Sequence, residues 1–173
     1  MALKEELGLK TDFASPAHEA LLNIYYTASI MKKRADDFFG QFGLTDVQFN
    51  LMNLLYYESG STGSTGSPQR SSPPGGKEGG LSQAQISDMM LVNRANITSL
   101  VDRMEKAELV SRTAHANDRR YNIIKLTSKG KNLYTKVEPH YLKQVKEAMA
   151  PLAAAELKRL AGMLEKVRRT LRV

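Results

Sequence analysis

Apolar residues return every three or four positions along most of this chain, a spacing that predicts helices. Leu21, Ile24, Ala28, Met31, Ala35 and Phe38 mark the first. Ser15 and Pro16 supply its cap and first turn, and the glycines of "FFGQFG" end it. Thr45 opens "TDVQ", a capping box closed by Gln48, and Phe49, Met52 and Tyr56 carry that helix on. Ser82 opens a second box, "SQAQ", closed by Gln85, and Ile86 and Met89 give its short helix a buried side. After the turn "LVN", Asn93 caps a helix striped by Ile97, Leu100, Val101 and Met104. "LVSR" (109–112) and "YNIIKLT" (121–127) read as the arms of a hairpin joined by "TAHANDRR". Thr127 starts a long helix with Leu133, Val137, Leu142, Val145 and Met149 along one side. Pro139 is expected to kink it and Pro151 to end it. Leu157, Leu160, Ala161, Leu164, Val167 and Leu171 stripe a last helix.

Two short helices joined by a three- or four-residue turn form a helix-turn-helix, and a hairpin after the second helix is a wing. The expected fold class is therefore mainly α with a small β-hairpin wing, a winged helix-turn-helix flanked by N- and C-terminal helices. The chain divides into an N-terminal dimerisation helix region (1–44), a helix leading into the winged helix (45–58), and a flexible insertion (59–80). A DNA-binding core (81–127) and C-terminal dimerisation helices (128–173) complete it. The insertion, "SGSTGSTGSPQRSSPPGGKEGG", holds seven glycines, three prolines and six serines in 22 positions and no apolar side chain, so nothing in it offsets the cost of ordering a backbone. The terminal stripes exceed what a small winged helix needs for its own core, and the spare apolar surface predicts a homodimer.

Composition narrows the function. The chain has 173 residues, no cysteine and a net charge of +7. Disulfides, thiolate metal sites and thiol redox chemistry are excluded. No apolar run could span a bilayer and no secretory h-region opens the chain, so the expected location is cytoplasmic and no membrane partner is expected. The positive charge is uneven: residues 1–56 sum to −2, residues 81–130 to +3 and residues 131–173 to +6. An anionic partner, nucleic acid first, belongs to the second half.

With the stripe of the 94–106 helix turned inward, Ala95, Thr98, Ser99 and Asp102 point outward, Asn96 and Arg103 lie on one flank and Arg94 at the other edge. A small polar row lets a helix sit deep in the major groove. A solvated helix face is the bland alternative. Beside this helix, the wing tip "HANDRR" places Asp118 before Arg119 and Arg120. Arginine suits a minor groove but has many rotamers to lose, and a neighbouring carboxylate can fix it beforehand. Asp118 is thus read as orienting Arg120, or as tying the wing base to Arg103, with a plain surface ion pair as the alternative. The expected DNA-binding set is Ser82, Gln83, Asn93, Arg94, Ala95, Asn96, Thr98, Ser99, Arg103, Arg112, His115, Asn117, Asp118, Arg119 and Arg120.

"LTDVQFNLMNLL", "LSQAQISDMM", "NRANITSLVDRMEKAELVSR" and "NDRRYNIIKLTSKG" together resemble the MarR family of winged-helix transcription regulators, over nearly the whole chain. The family's acid–any–arginine wing pattern falls on Asp118, Arg119 and Arg120. The resemblance implies a homodimeric regulator, a repressor, on a near-palindromic operator in double-stranded DNA, released or retuned by a small anionic or phenolic effector. Three features depart from the family: Glu108 and Leu91 stand where it commonly has glycine, and 59–80 replaces a short connection. In the family the effector lies between the winged helix and the dimer helices, which by position implicates Tyr25, Tyr26, Met31, Phe39, Met52 and Tyr56; such residues also suit a core. His18, His115 and His140 are scattered, so no metal is expected, and no cofactor. No nucleophile elbow, zincin helix or phosphate loop suggests an enzyme. The long insertion motivates the rival reading, a winged-helix dimer acting as a protein-interaction adaptor without specific operator binding.

Overall fold

The structure, a computed structural model, describes residues 2–60, 80–115 and 118–171, with side chains at all but 59, 60, 115 and 118–121. It divides into two compact units, Met1–Lys131 and Asn132–Val173. The order is α1 (Leu3–Glu6), α2 (Pro16–Gly40), α3 (Asp46–Gly60), β1 (Leu81–Ser82), α4 (Gln83–Met90), α5 (Arg94–Lys106), β2 (Val110–His115), β3 (Asp118–Leu126), α6 (Ser128–Met149) and α7 (Ala154–Leu171). This is the mainly helical winged fold with a small sheet that the periodicity predicts.

Local chemistry starts the helices where the sequence signals it. Ser15 Oγ accepts from the His18 N–H at 3.2 Å, with Pro16 in the first turn of α2. In α3 the Gln48 N–H donates to Thr45 Oγ1 (3.3 Å) while Gln48 Oε1 accepts from the Thr45 N–H (2.9 Å). Ser82 and Gln85 repeat that reciprocal pair at α4. The expected insertion loses its first two residues to α3, which continues to Gly60; residues 61–79 lie outside the described residues.

Helix ends are less legible. Beyond α2, the Leu44 N–H reaches Phe39 O (3.1 Å) and the Gly43 N–H reaches Gly40 O (3.1 Å), with Gly43 at φ 69°. That is a Schellman ending, with buried Leu44 and Phe39 at its two apolar positions. α5 ends the same way without glycine. The Leu109 N–H reaches Met104 O (2.9 Å), the Glu108 N–H reaches Glu105 O (2.8 Å), and Glu108 takes φ 60°. Leu91 closes α4 at φ 54°. Both departures from glycine therefore keep the glycine conformation, at a cost of roughly 1–2 kcal/mol each.

The sheet has the order β1-β3-β2 and is antiparallel throughout. Val110 pairs with Leu126 and Arg112 with Ile124, and the register shifts between Ala114 and His115. The strands run further toward the tip than expected: most of "TAHANDRR" belongs to the arms, leaving only 116–117 between them. β1, unforeseen, pairs Leu81 with Ile124.

In the first unit α3 packs on α2 and β3, α4 on α5, β1 and β3, and α5 on β2. Phe39, Phe49, Leu51, Met52, Leu55, Ile86, Ile97, Leu100, Val101, Met104 and Ile124 are fully buried. The centre of that core is the winged helix together with α3 and the end of α2. Of the predicted α2 stripe, Leu21, Ile24, Ala28 and Met31 are exposed, and Ala35 and Phe38 are half-buried. α6 runs unbroken past Pro139. Tyr134, outside its predicted stripe, is buried and donates its hydroxyl to Glu138 Oε1 (2.8 Å). α7 buries no residue fully, and Met163, Val167 and Leu171 are exposed.

At 81% exposed, Leu91 buries almost nothing to offset its left-handed backbone. Leu91→Gly should therefore raise stability by about 0.5–1 kcal/mol, a rise of roughly 1–4 °C in melting temperature. Thermal unfolding followed by circular dichroism checks this. A fall would mean that the leucine side chain, not the backbone, decides the turn.

Candidate nucleic-acid interface

The interface is built on α5. Asn93 Oδ1 accepts from the Asn96 N–H at 2.9 Å and fixes the first turn. Ile97, Leu100, Val101 and Met104 are buried, which turns the other residues of the helix outward. Arg94, Ala95, Asn96, Thr98, Ser99, Asp102 and Arg103 are all exposed, as the wheel predicts. Thr98 Oγ1 donates to Arg94 O at 3.0 Å, so its proton is held within the helix while its methyl and lone pairs remain outward. The row is small enough to approach base edges. Asn96 has the amide geometry for adenine, and Arg94 stands at the positive end of the helix dipole.

α4 is anchored beneath it. Ser87 is buried and donates its hydroxyl to Val92 O (2.6 Å), closing the turn between the two helices. Ser82 is half-buried, and its hydroxyl serves the cap, accepting from the Gln85 N–H and donating to Gln85 Oε1 at 2.9 Å. Gln83 is half-exposed at the first position of α4.

The wing base is held by charge. The Arg112 guanidinium meets Asp102 Oδ1 through Nη2 and Glu105 Oε2 through Nη1, and the Arg112 backbone N–H donates to Glu105 Oε1 at 3.2 Å. Sequence reasoning groups Arg112 with the DNA-contacting cations because it is basic and lies on the wing. Its position opposite two carboxylates on α5 depends on how β2 folds back, which no local pattern signals. The side chains of His115, Asp118, Arg119 and Arg120, and the whole of Asn117, lie outside the described residues, and so does any pairing of Asp118 with Arg120 or Arg103.

Of the expected effector residues, Phe39 and Met52 are fully buried, and Phe39 stacks on Phe49 at 4.4 Å between centroids. Tyr25 and Met31 are exposed on α2, and Tyr26 and Tyr56 are half-buried. Phe39 and Met52 thus sit in the core with Phe49, while Tyr25 and Met31 lie on the exposed face of α2. Among the described residues no group of three or more acidic or histidine side chains is placed to hold a metal, and no helix is long and apolar enough to cross a membrane.

Comparison with known proteins gives this geometry relatives. The MarR family model matches residues 76–121, from the end of the insertion through α4, α5 and most of the wing. The HTH-type transcriptional regulator MhqR of Bacillus subtilis is 27% identical over 125 residues, 72% of this chain and 72% of its own length. AbsC, a MarR family transcriptional regulator from Streptomyces coelicolor, superimposes with a TM-score of 0.73 at 20% identity, over 94% of this chain and 99% of its own. MepR of S. aureus, solved in complex with DNA, gives a TM-score of 0.70 at 19% identity, over 86% of this chain and 96% of its own. At these identities the two structures establish a shared winged fold.

Asn93→Ala removes the only side-chain cap described on α5 and should cost about 1 kcal/mol. The loss should concentrate in the first turn, so the Asn96 amide should exchange with solvent several-fold faster while the Leu100 and Val101 amides hold. Equal acceleration along the helix would show that the cap does not govern that turn.

Proposed function

We propose that this MarR-family winged helix is the DNA-reading part of a sequence-specific transcription regulator, acting in the cytoplasm as a homodimer that represses from a near-palindromic operator. The carrying observation is α5 itself: one side is completely buried, and the other is a small polar row flanked by Asn96 and Arg94. That is the surface a major groove admits. MepR supports the reading, because a protein of the same fold was solved with DNA. In this reading α5 enters the major groove, and the wing carries Arg119 and Arg120 to the adjacent minor groove, with Asp118 orienting Arg120.

The apolar faces support the dimer. Leu21, Ile24, Ile30 and Met31 on α2, Leu142 and Val145 on α6, and Leu160, Met163, Val167 and Leu171 on α7 are exposed in the single chain. A second copy would bury them about a two-fold axis and set two α5 helices one DNA turn apart. Tyr25 and Met31 on α2 are the exposed members of the set assigned to a small anionic or phenolic effector.

Selection of duplexes from a randomised pool by the purified protein tests the whole reading. An inverted repeat with a footprint of roughly 15–25 base pairs should emerge, bound by a dimer in light scattering at micromolar concentration. Full-affinity binding by a monomer would sink the dimer, and failure to enrich any sequence would favour the adaptor.

Arg120→Ala should weaken binding to the enriched duplex by ~1–3 kcal/mol. Asp118→Asn removes a negative charge, so bulk electrostatics alone would tighten binding, whereas the orienting role weakens it. Anisotropy titrations of the two variants decide between these, and a tighter Asp118→Asn would eliminate the orienting role.

A further inference from the structure

Two carboxylates stand on the face of α5 that the regulator reading turns toward DNA. Asp102 continues the outward row of Ala95, Thr98 and Ser99, and Glu105 lies one turn further on. Both repel phosphate. Arg112, on edge strand β2, answers both: one terminal nitrogen meets Asp102 and the other meets Glu105. Glu105 also accepts the Arg112 backbone N–H at 3.2 Å, so it satisfies an edge donor of the sheet and the guanidinium together. The Arg112 side chain is only 22% exposed, against 56% for Asp102. The cation is therefore withdrawn behind the anions that it neutralises.

We propose that Arg112 is a positioning residue of the DNA interface: it acts through Asp102 and Glu105, masking their charge from the phosphates and locking the wing strand to the recognition helix, and does not itself touch DNA. The proposal rests on the regulator reading. A guanidinium suits this task because its planar fork can meet two carboxylates at once, which an ammonium on a flexible stem does not match. The clamp also sets the angle between α5 and β2, and with it where the wing tip falls when α5 is in the groove.

Direct phosphate binding and masking differ in what restores affinity. A cation that neutralises one phosphate steepens the fall of log affinity against log salt, and repulsion from an unmasked carboxylate is itself screened by salt, so the slope falls under both readings and neutralising the carboxylates separates them. The probe is a duplex enriched by the wild-type protein from a randomised pool, titrated by anisotropy at three salt concentrations.

Arg112→Met should bind at least tenfold more weakly. Adding Asp102→Asn and Glu105→Gln to that variant removes the unmasked charge while keeping the shape of both side chains, and should restore affinity to within threefold of wild type. Arg112→Lys, the variant best placed to fold normally, keeps the charge but loses the fork, and should still lose several-fold in affinity. Direct phosphate binding predicts the reverse: no rescue by the added neutral residues, and near-normal binding by Arg112→Lys. Any of those results overturns the proposal. So does Asp102→Asn alone weakening binding as much as Arg112→Met, because the carboxylate would then be reading a base. A wild type that enriches no duplex fails at the earlier selection step, and sinks the regulator reading and this inference together.

Discussion

The C-terminal end of α5, the wing and α6 meet at one carbonyl. Leu109 O accepts the Thr127 N–H at 3.1 Å, and a Cβ on Gly130 would stand 2.1 Å from it. At that point the end of α5, the root of the wing and the start of α6 are a bond length or two from collision. Only a residue without a side chain lets α6 begin there. Thr127 does three jobs around it: its N–H meets Leu109 O, its hydroxyl donates to Glu108 O (2.6 Å), and it accepts the Gly130 N–H (3.0 Å). Lys129 adds an ion pair to Glu108 at 3.0 Å. The "LTSKG" segment is thus the joint on which α5 is mounted.

That joint gives Glu108 a reason to exist. Its left-handed backbone costs energy that glycine would spare, but its carbonyl and carboxylate both find partners in 127–129. Exposed ion pairs contribute little, typically below ~1 kcal/mol, so Lys129 offsets only part of the strain. The Schellman bonds and the burial of Leu109 beside Met104 supply the rest of the support.

Legibility in the sequence follows the range of the interaction. Capping boxes at Thr45 and Ser82, the Asn93 cap and the α5 stripe act within four residues, and each is readable. The wheel places every outward residue of α5 correctly because burial at Ile97, Leu100, Val101 and Met104 leaves no choice. β1 gives no signal because two residues carry no period, and its pairing is with a strand far along the chain. Arg112 looks like one more wing cation; its acidic partners lie seven and ten residues away on another element. Tyr134 breaks the expected α6 stripe because burial there extends around to an adjacent side of the helix. Phe39 and Met52, placed in the effector set by position, are fully buried in the single chain, as such residues commonly are.

Leu91 has a different consequence from Glu108. It sits at the seam between α4 and α5 with a left-handed backbone, and hydrogen bonds to Ser87 close the turn. Local opening releases whatever strain the native state stores, so the free energy of opening is lowest where strain is uncompensated. α4 is eight residues long with two of them buried, too little to set its own stability. The turn after α4 is thereby the point where this part of the fold should open most easily, while α5 is held by the Asn93 cap at one end and its Schellman bonds at the other. Fluctuations that begin at this turn would leave the exposed polar row of α5 in place, because its cap and the Arg112 clamp do not depend on α4.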